Sequence, residues 1–385
     1  MTGKTFHSGK TKSLKAVGVA YLAVVGMLMT ASIASAEPKV VSGPSPDAAC
    51  FKPWDANTQF FQYTKKNGPY RIALANGFIA NTWRIQMIKT AKAFAEKNAD
   101  LISEFKVVST GEDLPAQIAA VENFINSGYD AVIVNALNPA AFKPAVKKAN
   151  AAGVVLISFD NVIESDEAIV VNVDQVKIGS MMGEFLASKI PAKGAKVVEV
   201  RGPSGNSVDR DRHDGFRRAI ADKGADWEVV EVVGKWDDGT AQKAVADAIA
   251  VHKQFDAIYV QGGSTGAVRA LMDAGHPFVP VAGETENGFR KLCGANADKG
   301  LDCASSGTGP AQVAVAIKAA LSALQGEPIP QAVALPVSYT QSPDFEDGKN
   351  YFSKQSDNFF VGNEFPDCNV GFTANEIMGQ TESNN

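Results

Sequence analysis

Histidine and cysteine are scarce in this chain of 385 residues, with four of each. No C-x-x-C pair and no H-E-x-x-H occurs, and His213, His252 and His276 stand far apart, so a zinc site has no footing. Scarce histidine also weakens any Ser-His-Asp arrangement. No Walker lysine follows a glycine-rich loop, and no G-x-G-x-x-G spacing is present. The nearest thing, Gln261-Gly262-Gly263-Ser264-Thr265-Gly266, follows an apolar run as a phosphate cradle would, but reads better as turn glycines before a Ser/Thr helix cap. Basic charge does not dominate: 37 Lys and Arg face 42 Asp and Glu, which argues against nucleic acid as a partner. There is no low-complexity tract. One apolar run, from Ala16 to about Met29, is too short for a comfortable membrane span of ~20 residues.

That run is informative for its flanks. Lys4, Lys10, Lys12 and Lys15 precede it without an acidic residue, and Ala34-Ser35-Ala36 follows it. Residues 1–36 therefore read as a cleavable export signal, with Glu37-Pro38 opening the mature chain; a retained anchor is the alternative. The mature chain carries 33 basic against 42 acidic residues, a formal charge of -9. Export to an oxidising compartment turns an even cysteine count into disulfides. Three pairings are open. Cys293–Cys303 is favoured as a local clip across GANADKGLD, and Cys50–Cys368 as a tie between the chain ends. About 350 mature residues exceed one ordinary core, so two domains are expected.

From Pro69 onward, short apolar runs alternate with amphipathic stretches. RIALAN (71–76), EFKVVST (104–110), DAVIVNA (130–136), VVLISFD (154–160) and AIVVNVD (168–174) form one series. AKVVEVRG (195–202), WEVVEVVGKW (227–236), FDAIYVQG (255–262), FVPVAGE (278–284) and LDCASSGT (301–308) form a second. Several are near-continuous Val/Ile/Ala/Leu, the mark of parallel strands buried on both faces. Between them the spacing becomes helical, as in Ile118, Val121, Phe124 and Ile125, or Val313, Ile317, Leu321 and Leu324. The pattern predicts an α/β fold of two similar lobes, each a parallel sheet flanked by helices, with a helix (309–326) and a strand (332–339) left over.

Ligands of open parallel sheets sit beyond the carboxyl ends of the strands. There the chain places residues that a core would not want: Asn81, Trp83 and Arg84 after the first strand, then Asn135, Asp160 and Asn161. The second series contributes Trp236, Glu284 and, in the first turns of a helix, Arg210, Asp211 and Arg212. Carboxylates, amides and guanidinium groups offer paired donors and acceptors to vicinal hydroxyls, and indole rings cover the C–H face of a sugar.

The segments IALANGFIANTWR (72–84), DAVIVNALNPAAF (130–142), VVLISFDN (154–161), GAKVVEVRGPSGNSVDRDRHDGF (194–216) and AIYVQGG (257–263) resemble the ribose-binding-protein type of periplasmic solute-binding protein, which serves sugar ABC importers. The likeness covers about residues 70–335, and GNSVDRDRHDGF is its most distinctive part. It implies two Rossmann-like lobes joined by three crossing strands, the type I periplasmic binding fold, with a sugar enclosed between them. It implies polar contacts from Asn81, Asn135, Asp160 and Arg212, stacking by Trp83 and Trp236, and Glu284 where the family usually has Asp. The departures are Arg84 for an aromatic, Asn161 for Arg, Gly262 for Asn and Thr308 roughly where Gln stands. The Thr-Trp-Arg order is more similar to the furanose-binding branch. These departures leave a pentose, a furanose-form sugar, a polyol or a related derivative open; Arg84, Asn161 and Thr308 complete the candidate set.

The resulting division is a signal peptide (1–36), an N-terminal extension (37–69), a first lobe (70–174 with 309–334) and a second lobe with a tail (175–308 with 335–385). Crossings are expected near Asp174-Gln175, Thr308-Gly309 and Leu335-Pro336. The expected function is capture of a small carbohydrate or polyol for a membrane ABC permease, by a monomer needing no cofactor or metal. A secreted receptor for chemotaxis or signalling is the alternative. An enzyme using Asp160 and Glu284 as paired carboxylates has no supporting motif. Intact-mass analysis of the exported protein should give a chain beginning near Glu37, with no thiol reacting before reduction; two reactive thiols would overturn one of the two favoured pairings.

Overall fold

The computed structural model describes residues 37–79 and 81–384, so the expected signal segment lies outside the described residues. The chain opens with β1 (Lys39–Val41) and β2 (Phe60–Gln62), a small antiparallel pair. Then come β3 (Tyr70–Asn76), α1 (Thr82–Lys97), β4 (Ile102–Ser109), α2 (Leu114–Asn126), β5 (Ala131–Asn135), α3 (Lys143–Ala151), β6 (Val155–Phe159) and β7 (Ile169–Asn172). The second series is α4 (Gln175–Lys189), β8 (Lys193–Arg201), α5 (Ser207–Asp222), β9 (Asp226–Val233), α6 (Asp238–His252), β10 (Ala257–Val260), α7 (Ser264–Asp273), β11 (Val281–Gly283), α8 (Asn287–Asn296) and β12 (Cys303–Gly307). The remainder is α9 (Gln312–Leu324), β13 (Ile329–Pro330), β14 (Ala332–Ala334), β15 (Ser338–Gln341), β16 (Glu364–Phe365), β17 (Val370–Gly371) and α10 (Ala374–Met378).

Two six-stranded sheets result, ordered β14-β7-β6-β5-β3-β4 and β15-β12-β11-β10-β8-β9. All neighbours are parallel except β15, which runs antiparallel to β12. Each sheet is covered on both faces. On the first, Ile72 and Leu74 face α1 and α9, while Ala73 and Ala75 face α2 and α3. On the second, α4 and α5 cover one face, and α6, α7 and α8 the other. Double coverage is why the strands read as unbroken apolar runs.

The stretch 332–339, expected as one strand, divides at Leu335-Pro336-Val337. β14 pairs with β7 in the first sheet and β15 with β12 in the second. A proline has no N–H for a ladder, and the break falls where the chain passes between lobes. The chain also crosses at 173–174 and 308–311, and it crosses a fourth time at 360–363, which the apolar pattern did not foretell. Residues 335–385, expected to stay with the second lobe, therefore divide between the two. Asp357, Phe359 and Val361 bond to the 285–288 turn of the second lobe. Beyond them Phe365, Val370, Phe372 and Ile377 enter the first-lobe core beside Phe51 and Phe61 of the N-terminal extension. The polar end is held too: Thr373 and Glu376 form a capping box on α10, Lys97 meets Glu376 at 2.7 Å, and Lys92 donates to the Ser383 carbonyl at 2.8 Å.

Both favoured disulfides form, Cys50–Cys368 and Cys293–Cys303. The first closes a loop of 318 residues and the second one of 10. Helix α5 is fixed in two ways. Gly179 of α4 and Gly215 of α5 let the two backbones touch, since a Cβ on either would overlap a carbonyl of the other helix. On its outer side, the wholly buried Glu199 of β8 lies 2.8 Å from His213 Nδ1 and 3.5 Å from Arg217 Nε, while Arg201 and Arg217 reach Glu231 at 2.8 and 2.6 Å. Glu199, His213 and Glu231 are close enough together to suggest a metal site, but both guanidinium groups bond Glu231 and His213 Nδ1 is engaged with Glu199.

Loop-closure entropy predicts that losing Cys50–Cys368 costs on the order of 5 kcal/mol and losing the short clip about 3. Denaturant unfolding of the two Cys→Ser pairs checks the order, and a larger loss from the clip would contradict it. The Glu199 hydrogen bond holds the His213 imidazole above its ordinary value of 6.5, against a smaller effect of burial. A raised value means stability that is complete below pH 6.5 and is lost as the pH climbs through the folded-state value. The melting-temperature deficit of His213→Gln should therefore be widest below pH 6.5 and shrink above it. A deficit independent of pH would assign His213 to packing alone.

Candidate functional site

The carboxyl ends of both sheets face one cleft, whose empty space, counting its open mouth, is about 500 Å³. Asn81, Trp83, Arg84, Asp160, Arg212, Trp236, Glu284 and Thr308 all line it. Asn135 and Asn161, expected to touch ligand hydroxyls, do not. They stand behind Asp160: Asn161 Nδ2 donates to Asp160 Oδ2 at 2.8 Å and to Asn135 Oδ1 at 2.9 Å, and Asn135 Nδ2 donates to the same Asp160 oxygen at 3.2 Å. β5 ends at Asn135, whose amide bonds and orients the Asp160 carboxylate.

On the first lobe, Asn81 caps α1, its Oδ1 accepting from the Arg84 N–H at 2.9 Å. The cap places Trp83 and Arg84 in the opening turn. Arg84 is buried, donates to Asn76 Oδ1 at 2.8 Å, lies 3.9 Å from Asp160 and stacks 4.8 Å from the Phe78 ring centroid. Burial pulls its guanidinium down to about 10, with Asp160 acting the other way. Trp83 Nε1 donates to the Thr308 carbonyl at 3.2 Å, tying the ring to a crossing segment.

On the second lobe, the helical spacing of DRDR separates its members. Arg210 and Asp211 pair with each other outside, whereas Asp209 and Arg212 turn inward. Asp209 holds Arg201 at 2.9 and 2.7 Å. Arg212 donates to Gln175 Oε1 at 2.8 Å, to the Gln261 carbonyl at 2.7 Å and to Glu284 Oε2 at 2.5 Å. Burial opposes its charge most, but Glu284, Tyr259 and Asp160 together outweigh it, and Arg212 ends above its ordinary value. Trp236 lies between Gly202 and Gly262, where a Cβ at either position would meet the indole; at Gly262 it would sit 2.9 Å from Cδ1. Gly262 is thus a packing requirement of Trp236. Asp160 and Trp236 both adopt left-handed backbone, at φ 58° each, a costly conformation that clusters at functional sites.

The cleft has lining residues that the sequence reading missed: Gln175, Val208, Gln261, Glu286, Gln312 and Phe360. Gln261 ends a strand run, so the strand-end rule would have found it. Gln175 and Gln312 open helices just after crossings, and Phe360 carries no local signal. The QGGSTG turn does cradle an anion, but an internal one. The Glu286 carboxylate accepts from the N–H groups of Gly263, Ser264 and Thr265 at 2.7, 3.0 and 2.8 Å. Burial and then Asp238 push that carboxyl up to about 7. The same turn, Gly262 to Gly266, has G-x-S-x-G spacing, a motif the chain was expected to lack, yet Ser264 is wholly buried and its Oγ accepts the Glu284 N–H at 2.9 Å. Among the described residues no histidine lines the cleft.

Four polar atoms of lining residues have no hydrogen-bond partner in the protein: Trp236 Nε1, Gln261 Oε1, Thr308 Oγ1 and Gln312 Oε1. Two come from the second lobe, one from a crossing and one from α9 of the first lobe. Both cleft arginines have carboxylate partners, and the third lining carboxylate, Glu286, is held by the QGGSTG turn. Among the described residues, four buried donors and acceptors of the lining are thus left unmade.

Comparison with known proteins agrees with this architecture. The family model described as periplasmic binding protein domain matches residues 72–328. The ribose import binding protein of Bacillus subtilis is 28% identical over 219 residues, covering 55% of this chain and 68% of that protein. The galactofuranose-binding protein of Escherichia coli is 30% identical over 142 residues, 36% of this chain and 44% of the relative. Among solved structures, an ABC transporter solute binding protein from Thermobispora bispora is 29% identical with a TM-score of 0.64, covering 70% of this chain and 84% of that one. These relatives are binding proteins of transporters, and the chain is of the same kind, not an enzyme. With the matched span running through both sheets, this chain belongs to the periplasmic binding protein family, in its ribose-binding type.

Proposed function

We propose that this chain is the exported, solute-binding component of an importer, taking a small neutral polyhydroxylated ligand between its lobes and delivering it to a membrane permease. The ligand class is a pentose, a furanose-form sugar or a polyol. The observation that carries this reading is the set of four buried, unpartnered polar atoms on residues lining a cleft whose arginines are both matched. A buried donor or acceptor left unmade costs ~1–3 kcal/mol, and a ligand with several hydroxyls would relieve all four together. An anionic ligand would call for an unmatched arginine, and each cleft arginine faces a carboxylate. Trp83 and Trp236, one from each lobe, suit the C–H faces of a sugar ring. Since the groups lie on both sides, a ligand that meets them favours the closed arrangement, and only such differential contact can shift an open–closed balance. The names of the ribose and galactofuranose relatives point the same way.

A thermal-shift screen over aldoses, furanoses and polyols tests the reading, because a ligand that prefers the folded state raises the melting temperature. Absence of any shift across the panel would sink it. Thr308→Val is the sharper variant. It removes an unsatisfied buried hydroxyl, so the unliganded protein should melt no lower, while affinity should fall about tenfold or more, equivalent to ~1.4 kcal/mol. Asp160→Ala should weaken binding ten- to a hundredfold, on the order of 1–3 kcal/mol. Arg212→Ala should lower affinity and stability together, because it strands the buried Glu284. Calorimetry gives the affinities, and unaltered affinity in Thr308→Val and Asp160→Ala would remove these residues from the site.

A further inference from the structure

Arg290 of α8 lies outside the cleft lining, and its burial is costly. It is 3% exposed, and burial pulls its guanidinium down to about 10, with Glu284 acting the other way. The Glu284 carboxylate is bonded to Arg212 instead. Among the described residues, Arg290 Nη2 finds no hydrogen-bond partner. Apolar packing would fill such a place at less cost, since exchanging a buried charge for a hydrophobic residue of similar volume is often neutral or stabilising. A charge kept on these terms points to a use, because such departures concentrate at functional sites.

The bonds that Arg290 does make show one. Nη1 donates to the Asn350 carbonyl at 2.8 Å, and Nε donates to Ser305 Oγ at 2.8 Å. A guanidinium has no acceptor, so the Ser305 oxygen receives, and the one hydroxyl hydrogen is left to go forward. It goes to the Glu284 carbonyl, 2.8 Å away. The Glu284 N–H is taken by Ser264 Oγ at 2.9 Å. Ser264 and Ser305 are both wholly buried, so the main chain of Glu284 is pinned on either side. Its side chain is confined as well. A Cβ on Gly307 would overlap Glu284 Oε1, and Oε2 meets Arg212 at 2.5 Å. Glu284 and Arg212 line the cleft; Arg290 and Ser305 stand behind them.

We propose that Arg290 is a positioning residue for the binding cleft: through Ser305 it sets the main chain of Glu284, and so the carboxylate and guanidinium that Glu284 and Arg212 present together to the ligand. This rests on the reading of the cleft as a sugar or polyol site and adds the support behind one of its walls. Groups that touch a ligand hold their geometry only when neighbours lock them in turn. The far end of this relay is Asn350, which lies beyond the family match ending at 328. Asn350 is itself fixed, its Nδ2 donating to the Asp344 carbonyl at 2.8 Å and its Oδ1 accepting the Glu346 N–H at 2.9 Å. The stretch 344–350 of the C-terminal extension therefore backs the site without entering it.

Calorimetric titration of the whole mature protein with ribose, arabinose, xylitol, allose and galactose finds the tightest ligand of this panel, which then serves for every variant. Arg290→Met should weaken its binding by about five- to tenfold, roughly what one hydrogen bond is worth. Ser305→Ala should weaken it by a similar factor. The double variant should be no weaker than the worse of the two, because both act through one bond to Glu284. Arg290→Lys, which keeps the charge and a single arm, should lose affinity by a smaller but measurable factor, and none in the Ser305→Ala background; it serves where the methionine variant does not fold. Unchanged affinity in the Arg290 variants that fold, even with a lower melting temperature, assigns Arg290 to structure alone and overturns the inference. So does a loss that multiplies with that of Ser305→Ala. Both results leave the sugar reading standing. A wild type that binds nothing on the panel overturns the sugar reading and the inference together.

Discussion

The Arg212–Glu284 pair sits where three backbone segments must agree. A guanidinium with 7% exposure is tolerable only beside an opposite charge and with its donors used, since a buried charge stripped of its partner costs ~3–5 kcal/mol. Its partners are Gln175 at the start of α4, the Gln261 carbonyl at the end of β10, and Glu284 at the end of β11. The pair therefore fixes how far α4 and α5 slide along the sheet, and the Gly179 and Gly215 contact makes that approach sterically feasible. Trp236 and the α7 turn then take positions relative to a frame already set. The first lobe has a looser counterpart in Arg84 and Asp160, 3.9 Å apart, with Asn76, Asn135 and Asn161 filling the remaining bonds.

Much of this was legible in the amino-acid order. Strands buried on both faces write themselves as apolar runs, and all ten runs of the two series became strands within a few residues of the expected bounds. Eight of the ten candidate site residues reach the cleft because strand ends in a parallel sheet share one edge, which is a property of topology. Asn135 and Asn161 show the limit of that rule. It places a residue near the edge but does not tell a first contact from the group behind it.

What could not be read is of another kind. Nothing local marks Phe360 as a cleft residue, because its place is set by Gln86, 274 positions away, and by Glu286 of the second lobe. The left-handed backbone at Trp236 was also invisible, since an aromatic residue does not favour it; Asp160 shares it, in a residue type that tolerates it better.

The route of the chain through the two lobes bears on the order in which they can be completed. The second lobe is drawn almost entirely from residues 175–341, so its sheet can close on contacts already synthesised. The first sheet is different: its edge strand β14 comes from 332–334, and its core takes Phe365, Val370, Phe372 and Ile377 from the last part of the chain. Its contacts span most of the sequence, and loop-closure entropy makes such contacts slow to form. The lobe that begins first must therefore finish last. Until the C-terminal residues arrive, its α1 face remains apolar and exposed, and it is the part of this molecule that most needs shielding from aggregation while it folds.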